Sequence, residues 1–130
     1  MHRVSALVTL LAAATACSSA SAPSTTSIAG RWGGSTCPPS LIVSCSIAVD
    51  ITQSGSALSG TWGFTTSNGT LNGTLTGSSV SMVMTPQAPP GCVWTVVATA
   101  DGDQMTGTHS VVLSPTCGGA TGAIALTRVR

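Results

Sequence analysis

The sequence predicts an all-β protein, an antiparallel up-and-down β-barrel of about eight short strands, and three observations carry the prediction. From Ile28 onward apolar and polar residues alternate with period two, the spacing of a half-buried strand. Turn residues interrupt that alternation at regular intervals. Of 130 residues, four Arg and three Asp are the only charged ones, and Lys, Glu and Tyr are absent. Ser and Thr fill 39 positions and Gly another 15, so strong helix formers are scarce. Disorder needs low hydrophobicity and high net charge, whereas this chain is 42% hydrophobic with a net charge of +1.

The first strand is expected at 28–35, opening on Ile28-Ala29-Gly30-Arg31-Trp32. In the second, 44–53, Ile47, Val49 and Ile51 alternate with Ser46, Ala48, Asp50 and Thr52. The third, 57–66, sets Leu58, Gly60, Trp62 and Phe64 against Ser59, Thr61, Gly63 and Thr65. Leu71, Gly73 and Leu75 mark the fourth, 70–76, and Val80, Met82 and Met84 the fifth, 79–85. In the sixth, 92–100, Cys92, Trp94, Val96 and Ala98 share one face and Val93, Thr95 and Val97 the other; either could be the inner one. The seventh and eighth are placed at 104–113 and 120–129.

Turns are expected at Ser54-Gly55-Ser56, Asn68-Gly69, Gly77-Ser78-Ser79 and Asp101-Gly102-Asp103, with longer loops at Pro86–Gly91 and Ser114–Gly119. Short connections imply that neighbours pair in order, and closure into a barrel removes exposed strand edges. A two-sheet sandwich is the alternative. A transmembrane barrel is disfavoured, because the strands are short and their outward positions are Ser and Thr.

A small motif recurs in Leu58-Ser-Gly60-Thr-Trp62, Leu71-Asn-Gly73-Thr-Leu75 and Met105-Thr-Gly107-Thr-His109, with a looser copy at Ile28–Trp32. Its first, third and fifth residues share one face and its Thr takes the other. An inward Gly lets a strand bend sharply, or lets a neighbouring side chain lie across it. Tight coiling of a narrow barrel is the main expectation, and room for a ligand the second.

Three segments follow along the chain. Residues 1–16 read as a secretory signal: His2 and Arg3 precede the apolar run Val4–Ala16, too short to span a bilayer. Ala14-Thr15-Ala16-Cys17 resembles a bacterial lipobox, with Ala14 where the pattern prefers Leu. The resemblance implies cleavage before Cys17, lipidation of that residue, and anchoring to a membrane of the bacterial cell envelope; the alternative is plain secretion with cleavage near Ala20 or Ala22. Residues 17–27 have the small, polar, uncharged composition of a flexible tether. Residues 28–130 form the barrel domain.

Setting Cys17 aside leaves an even set, Cys37, Cys45, Cys92 and Cys117, which in an exported protein reads as two disulfides. Three pairings are possible. Cys37–Cys45 with Cys92–Cys117 is favoured, since each would close a local excursion between strands. A zinc site is disfavoured, with no C-x-x-C and one His in the mature chain.

Chemistry-bearing residues are few. His109 takes the inward motif position filled by Trp62 and Leu75 in the other copies, where it can hydrogen-bond a buried carbonyl or contact a ligand. Trp32, Trp62 and Trp94 are the largest apolar groups, and with His109 they are the candidate ligand-binding residues. No catalytic residue is assigned. His109 has no Gly-x-Ser-x-Gly elbow beside it, and three Asp without Glu make a glycosidase carboxylate pair not credible. Asp101-Gly102-Asp103 supplies too few oxygens for calcium, and Asn68-Gly-Thr70 and Asn72-Gly-Thr74 read as turn and strand residues. No metal or cofactor is expected. A near-zero charge gives no electrostatic footprint for nucleic acid.

Gly30-Arg31-Trp32 on the first strand followed by Leu58-Ser59-Gly60-Thr61-Trp62 resembles the calycin-type barrels, the lipocalins and avidins. The resemblance spans the barrel in architecture and about ten residues in motif. It implies a carrier with an open interior near Trp62, Gly107 and His109. The Tyr common in avidin-type sites is absent, and biotin or lipid binding is not carried over. The chain also resembles, in size and architecture, small bacterial lipoprotein inhibitors of lysozyme and secreted proteases, although the Lys used by the lysozyme inhibitors is missing. The expected function is therefore a non-enzymatic, lipid-anchored extracytoplasmic barrel binding a small apolar ligand or a protein. The alternative is a sealed barrel serving as an envelope interaction module or hydrolase inhibitor.

Overall fold

The computed structural model describes residues 26–37, 45–88 and 91–130; the expected signal segment, Cys17 and the tether up to residue 25 lie outside the described residues. Eight strands run β1 (Gly30–Ser35), β2 (Ser46–Ser54), β3 (Ala57–Gly63), β4 (Asn68–Thr76), β5 (Ser79–Pro86), β6 (Trp94–Asp101), β7 (Gln104–Val111) and β8 (Thr121–Arg128). Each pairs antiparallel with its neighbours in chain order, and β8 returns to β1 to close a barrel.

The alternation fixes which side chains point inward. Ile47, Val49 and Ile51 of β2, Leu71 and Leu75 of β4, and Val80, Met82 and Met84 of β5 are all buried, while the intervening Ser, Thr, Asn and Ala face solvent. Trp94 belongs to the inner set with Val96 and Ala98, which settles the open choice on β6; Cys92 lies before the strand. Burying an aliphatic or Met side chain contributes about 1.5–3 kcal/mol, and such residues fill the interior from β2 round to Leu126 of β8.

The barrel has two unlike ends. Three tight turns, β2–β3, β4–β5 and β6–β7, share one end, each with a Gly at φ between +58° and +61°, namely Gly55, Gly77 and Gly102. The longer connections and both disulfides share the other, loop end.

The expected hairpin at Asn68-Gly69 is not there. Both residues belong to β4, where Asn68 pairs with Gly63 and Gly69 with Trp62, and the chain turns instead through Phe64–Ser67. Glycine is needed at 69 for space: a methyl group there would lie 2.8 Å from Cζ2 of Trp62 and would strike the Thr85 carbonyl. Strand limits otherwise move by a few residues. Ile28 and Ala29 precede β1, Cys92 and Val93 precede β6, and Val112 and Leu113 follow β7.

The recurring motif owes its Gly to close approach. A methyl group on Gly60, Gly73 or Gly107 would collide with the carbonyl of Asp50, Ser81 or Val97 on the adjoining strand. The barrel coils there too tightly for any Cβ.

At the turn end the interior is capped by the chain's own N-terminal segment. Ile28 is fully buried, its N–H donates to Gln53 Oε1 (2.8 Å) and its carbonyl accepts from Trp32 Nε1 (2.9 Å). Arg128 lies with its guanidinium 4.5 Å above the Trp32 ring, donates to the carbonyls of Ala29 and Ser27, and pairs with Asp103 at 3.1 Å. Arg130 pairs with the same carboxylate. The Arg130 hydrogen bond holds the Asp103 carboxyl below its ordinary value of 3.8.

Two outcomes test this architecture. Gly73→Ala or Gly107→Ala should lower unfolding free energy by about 1–3 kcal/mol, whereas Gly118→Ala, with open space around it, should leave the denaturation midpoint unchanged. Because the carboxyl of Asp103 is depressed on folding, its contribution to stability is present above pH 3.8 and is lost as pH falls through its lower folded value. An acid titration of stability should therefore lose part of its slope in Asp103→Asn.

Candidate functional site

The candidate residues divide between the two ends. Trp32 lies fully buried at the turn end beneath Arg128. Trp62 is buried within the barrel, its Nε1 donating to the Thr70 carbonyl at 2.9 Å across Gly69. Trp94 and His109 come together at the loop end, ring centroids 4.9 Å apart and tilted by 32°. Phe64, which the sequence pattern placed on a strand without marking it for a site, completes the group. It stands 5.5 Å from Trp94 and edge-on to Trp62 at 5.6 Å. A continuous aromatic row thus rises from the core to the loop end.

Above that row opens a cavity of about 430 Å³. Phe64, Trp94 and His109 form its walls, and Thr36, Ser46, Thr65 and Thr66 are its polar lining residues, with Cys37 and Cys45 beside them. No charged side chain lines it among the described residues. The rest of the barrel interior is occupied: Leu71, Leu75, Met82 and Met84 are each at most 2% exposed.

His109 is positioned by a gap opposite it. Its register partner on β8 is Gly122, and a methyl group there would lie 2.6 Å from Nε2. The ring passes over Gly122 to reach the Thr36 carbonyl beyond β1, at 2.9 Å. A carbonyl can only accept, so Nε2 carries the hydrogen; in the neutral ring Nδ1 is then a bare acceptor. Nδ1 is buried and has no hydrogen-bond partner, an arrangement that costs about 1–3 kcal/mol. The expectation that His109 bonds a buried carbonyl thus describes one ring nitrogen and leaves the other open.

The mouth is braced by covalent bonds. Cys37–Cys45 closes the β1–β2 connection, and Cys92–Cys117 ties the segment before β6 to the β7–β8 loop, with Cα atoms 5.5 and 5.8 Å apart. This is the favoured pairing of the three. A disulfide typically contributes about 2–4 kcal/mol through the unfolded chain. Trp94 lies two residues from one half-cystine, and Thr36 one residue from another, so the rim is held where the aromatic walls need it.

The three Asp residues lie apart from His109. Asp101 ends β6 and Asp103 lies in the tight turn that follows, at the far end from His109, and Asp50 pairs with Arg31 on the outer surface at 3.0 Å. No group of three or more His, Cys, Asp or Glu residues that could hold a metal occurs among the described residues.

Comparison of the chain with protein-family models, curated proteins and solved structures found no match.

Gly122→Ala should push the imidazole off the Thr36 carbonyl. We expect a loss of about 1–2 kcal/mol in stability and displaced His109 side-chain resonances. Unchanged ¹⁵N shifts of that ring would contradict its placement over Gly122.

Proposed function

We propose that the protein is a non-enzymatic, lipid-anchored extracytoplasmic binding domain that engages its ligand at the loop-end mouth and not deep inside the barrel. The observation that carries this reading is the contrast within one barrel: a filled interior below, and an uncharged cavity with aromatic walls above. Ligand sites are concave and largely apolar with a few placed polar groups, and typically enclose about 300–1,000 Å³. The mouth has that size and that composition. A deep calycin-like carrier needs the space that Leu71, Leu75, Met82 and Met84 occupy.

Polarity along the barrel supports tethering. The chain enters at the turn end, where Ser27, Ile28 and Ala29 are held by Arg128 and Gln53. A lipid on Cys17, nine positions before Thr26, would therefore attach the domain through the end opposite its mouth. The two disulfides suit an oxidising compartment outside the cytoplasm.

A second reading, an interaction module or inhibitor that binds a protein, is favoured by Leu113. This residue of the β7–β8 loop is 77% exposed at the same end of the barrel, beside half-exposed Val112. Both readings place the contact at the loop end.

Envelope extracts passed over immobilised protein should yield a bound component that Trp94→Ala and Phe64→Ala release. An anchoring aromatic of this kind contributes about 2 kcal/mol or more to binding. Retention undiminished by both substitutions would move the site elsewhere. For the anchor, the intact mass of membrane-extracted protein should show a diacylglycerol-sized addition at Cys17, and Cys17→Ser should release the protein from the membrane fraction.

A further inference from the structure

We infer that the mouth takes a small, uncharged aromatic molecule bearing an N–H or O–H donor, of the indole or phenol class, with the donor directed to His109 Nδ1. The inference rests on the proposed reading of the mouth as the binding site and specifies its ligand. Three features of the site define that chemistry.

The first is the walls. Trp94 and His109 lie only 32° from parallel and Phe64 is tilted 43° to Trp94, so the site offers ring faces and edges to a flat partner. A flexible alkyl chain would gain burial there but none of the ring-to-ring geometry. The second is charge. The polar residues of the lining, Thr36, Ser46, Thr65 and Thr66, are uncharged, and no ionised group on the described lining could offset the desolvation of a charged ligand.

The third is the orphaned nitrogen. The Nε2 hydrogen is committed to the Thr36 carbonyl, which fixes the tautomer and leaves Nδ1 as a buried acceptor without a donor. The ring that carries this acceptor is part of the cavity wall, but Nδ1 itself is covered, so the donor reaches it only as the side chains of the wall shift. A ligand that supplies one N–H or O–H beside a flat apolar ring removes that deficit, and a purely apolar ring of the same shape does not. Selectivity for the donor follows from the same asymmetry that makes unpaired buried polar groups costly.

The test uses the whole domain with both disulfides intact and three probes: indole, phenol and N-methylindole, the last lacking the donor. Binding is followed by protein-detected NMR, with the ¹⁵N resonance of His109 Nδ1 read directly in the unmutated protein. Indole and phenol should shift Nδ1 in the direction of an acceptor gaining a hydrogen bond, together with Trp94 and Phe64. N-methylindole should bind about tenfold more weakly than indole. His109→Phe, which keeps a ring against Trp94 but removes the acceptor, should bring indole and N-methylindole to within about twofold of each other. Equal binding of the two by the unmutated protein, or an Nδ1 resonance that does not move, overturns the inference. If none of the probes binds while an envelope component is still captured through Trp94, the aromatic-donor inference fails and the mouth reading stands. Indole binding unaffected by Trp94→Ala overturns both.

Discussion

The structure depends on closing β1 against β8. That seam is the shortest in the barrel, with four register pairs from Trp32 to Ser35 where β7 and β8 share seven. Without it, β1 and β8 would be exposed edges and the apolar row behind them would face water. Side chains reinforce the seam at both ends. Arg128, from an inward-phase position of β8, reaches the backbone before β1 and lies over Trp32. His109, from β7, crosses over Gly122 of β8 to reach Thr36 just after β1. The seam thus explains why these inward positions carry polar residues: each one satisfies backbone at a barrel end that strand pairing leaves unpaired.

Closure in turn demands glycine. A narrow barrel brings neighbouring backbones close on its inner side, and Gly60, Gly73 and Gly107 sit where an adjacent carbonyl occupies the place of a Cβ. The large inward residues of the same motif then fill the volume that this tight coiling leaves. In a chain of only seven charged residues, stability rests on this packing, on two disulfides and on one ionic cluster at the turn end. Solvent meets mainly Ser and Thr on the outer face.

Much of this is legible in the sequence because it follows from period two. Strand number, order, the inward sets on β2 to β5 and the tight glycine turns at residues 55, 77 and 102 all follow from alternation and turn chemistry. The turn expected at Asn68-Gly69 fails for a physical reason: its local signal is that of a hairpin, but Trp62 and the Thr85 carbonyl claim the space beside Gly69. The same holds for the site. Trp94 and His109 stand out by residue type, yet their contact depends on the register Val96↔His109 and Trp94↔Val111, which no local pattern encodes. In the sequence Phe64 is legible only as an inward residue, and its place at the mouth arises because β3 ends one residue before it. Trp32 shares its residue type with Trp94 and lies at the opposite end.

A filled barrel with a mouth at one end differs from a hollow one in a way that a single measurement resolves. Met82, Met84 and Met105 place three ε-methyl groups in the interior, and xenon enters apolar cavities large enough to hold it. Methyl NMR under xenon pressure should leave those three signals unmoved while resonances of Phe64 and Trp94 respond. Xenon-dependent shifts at Met82 or Met105, with none at the mouth, would contradict the filled interior and with it the assignment of binding to the loop end.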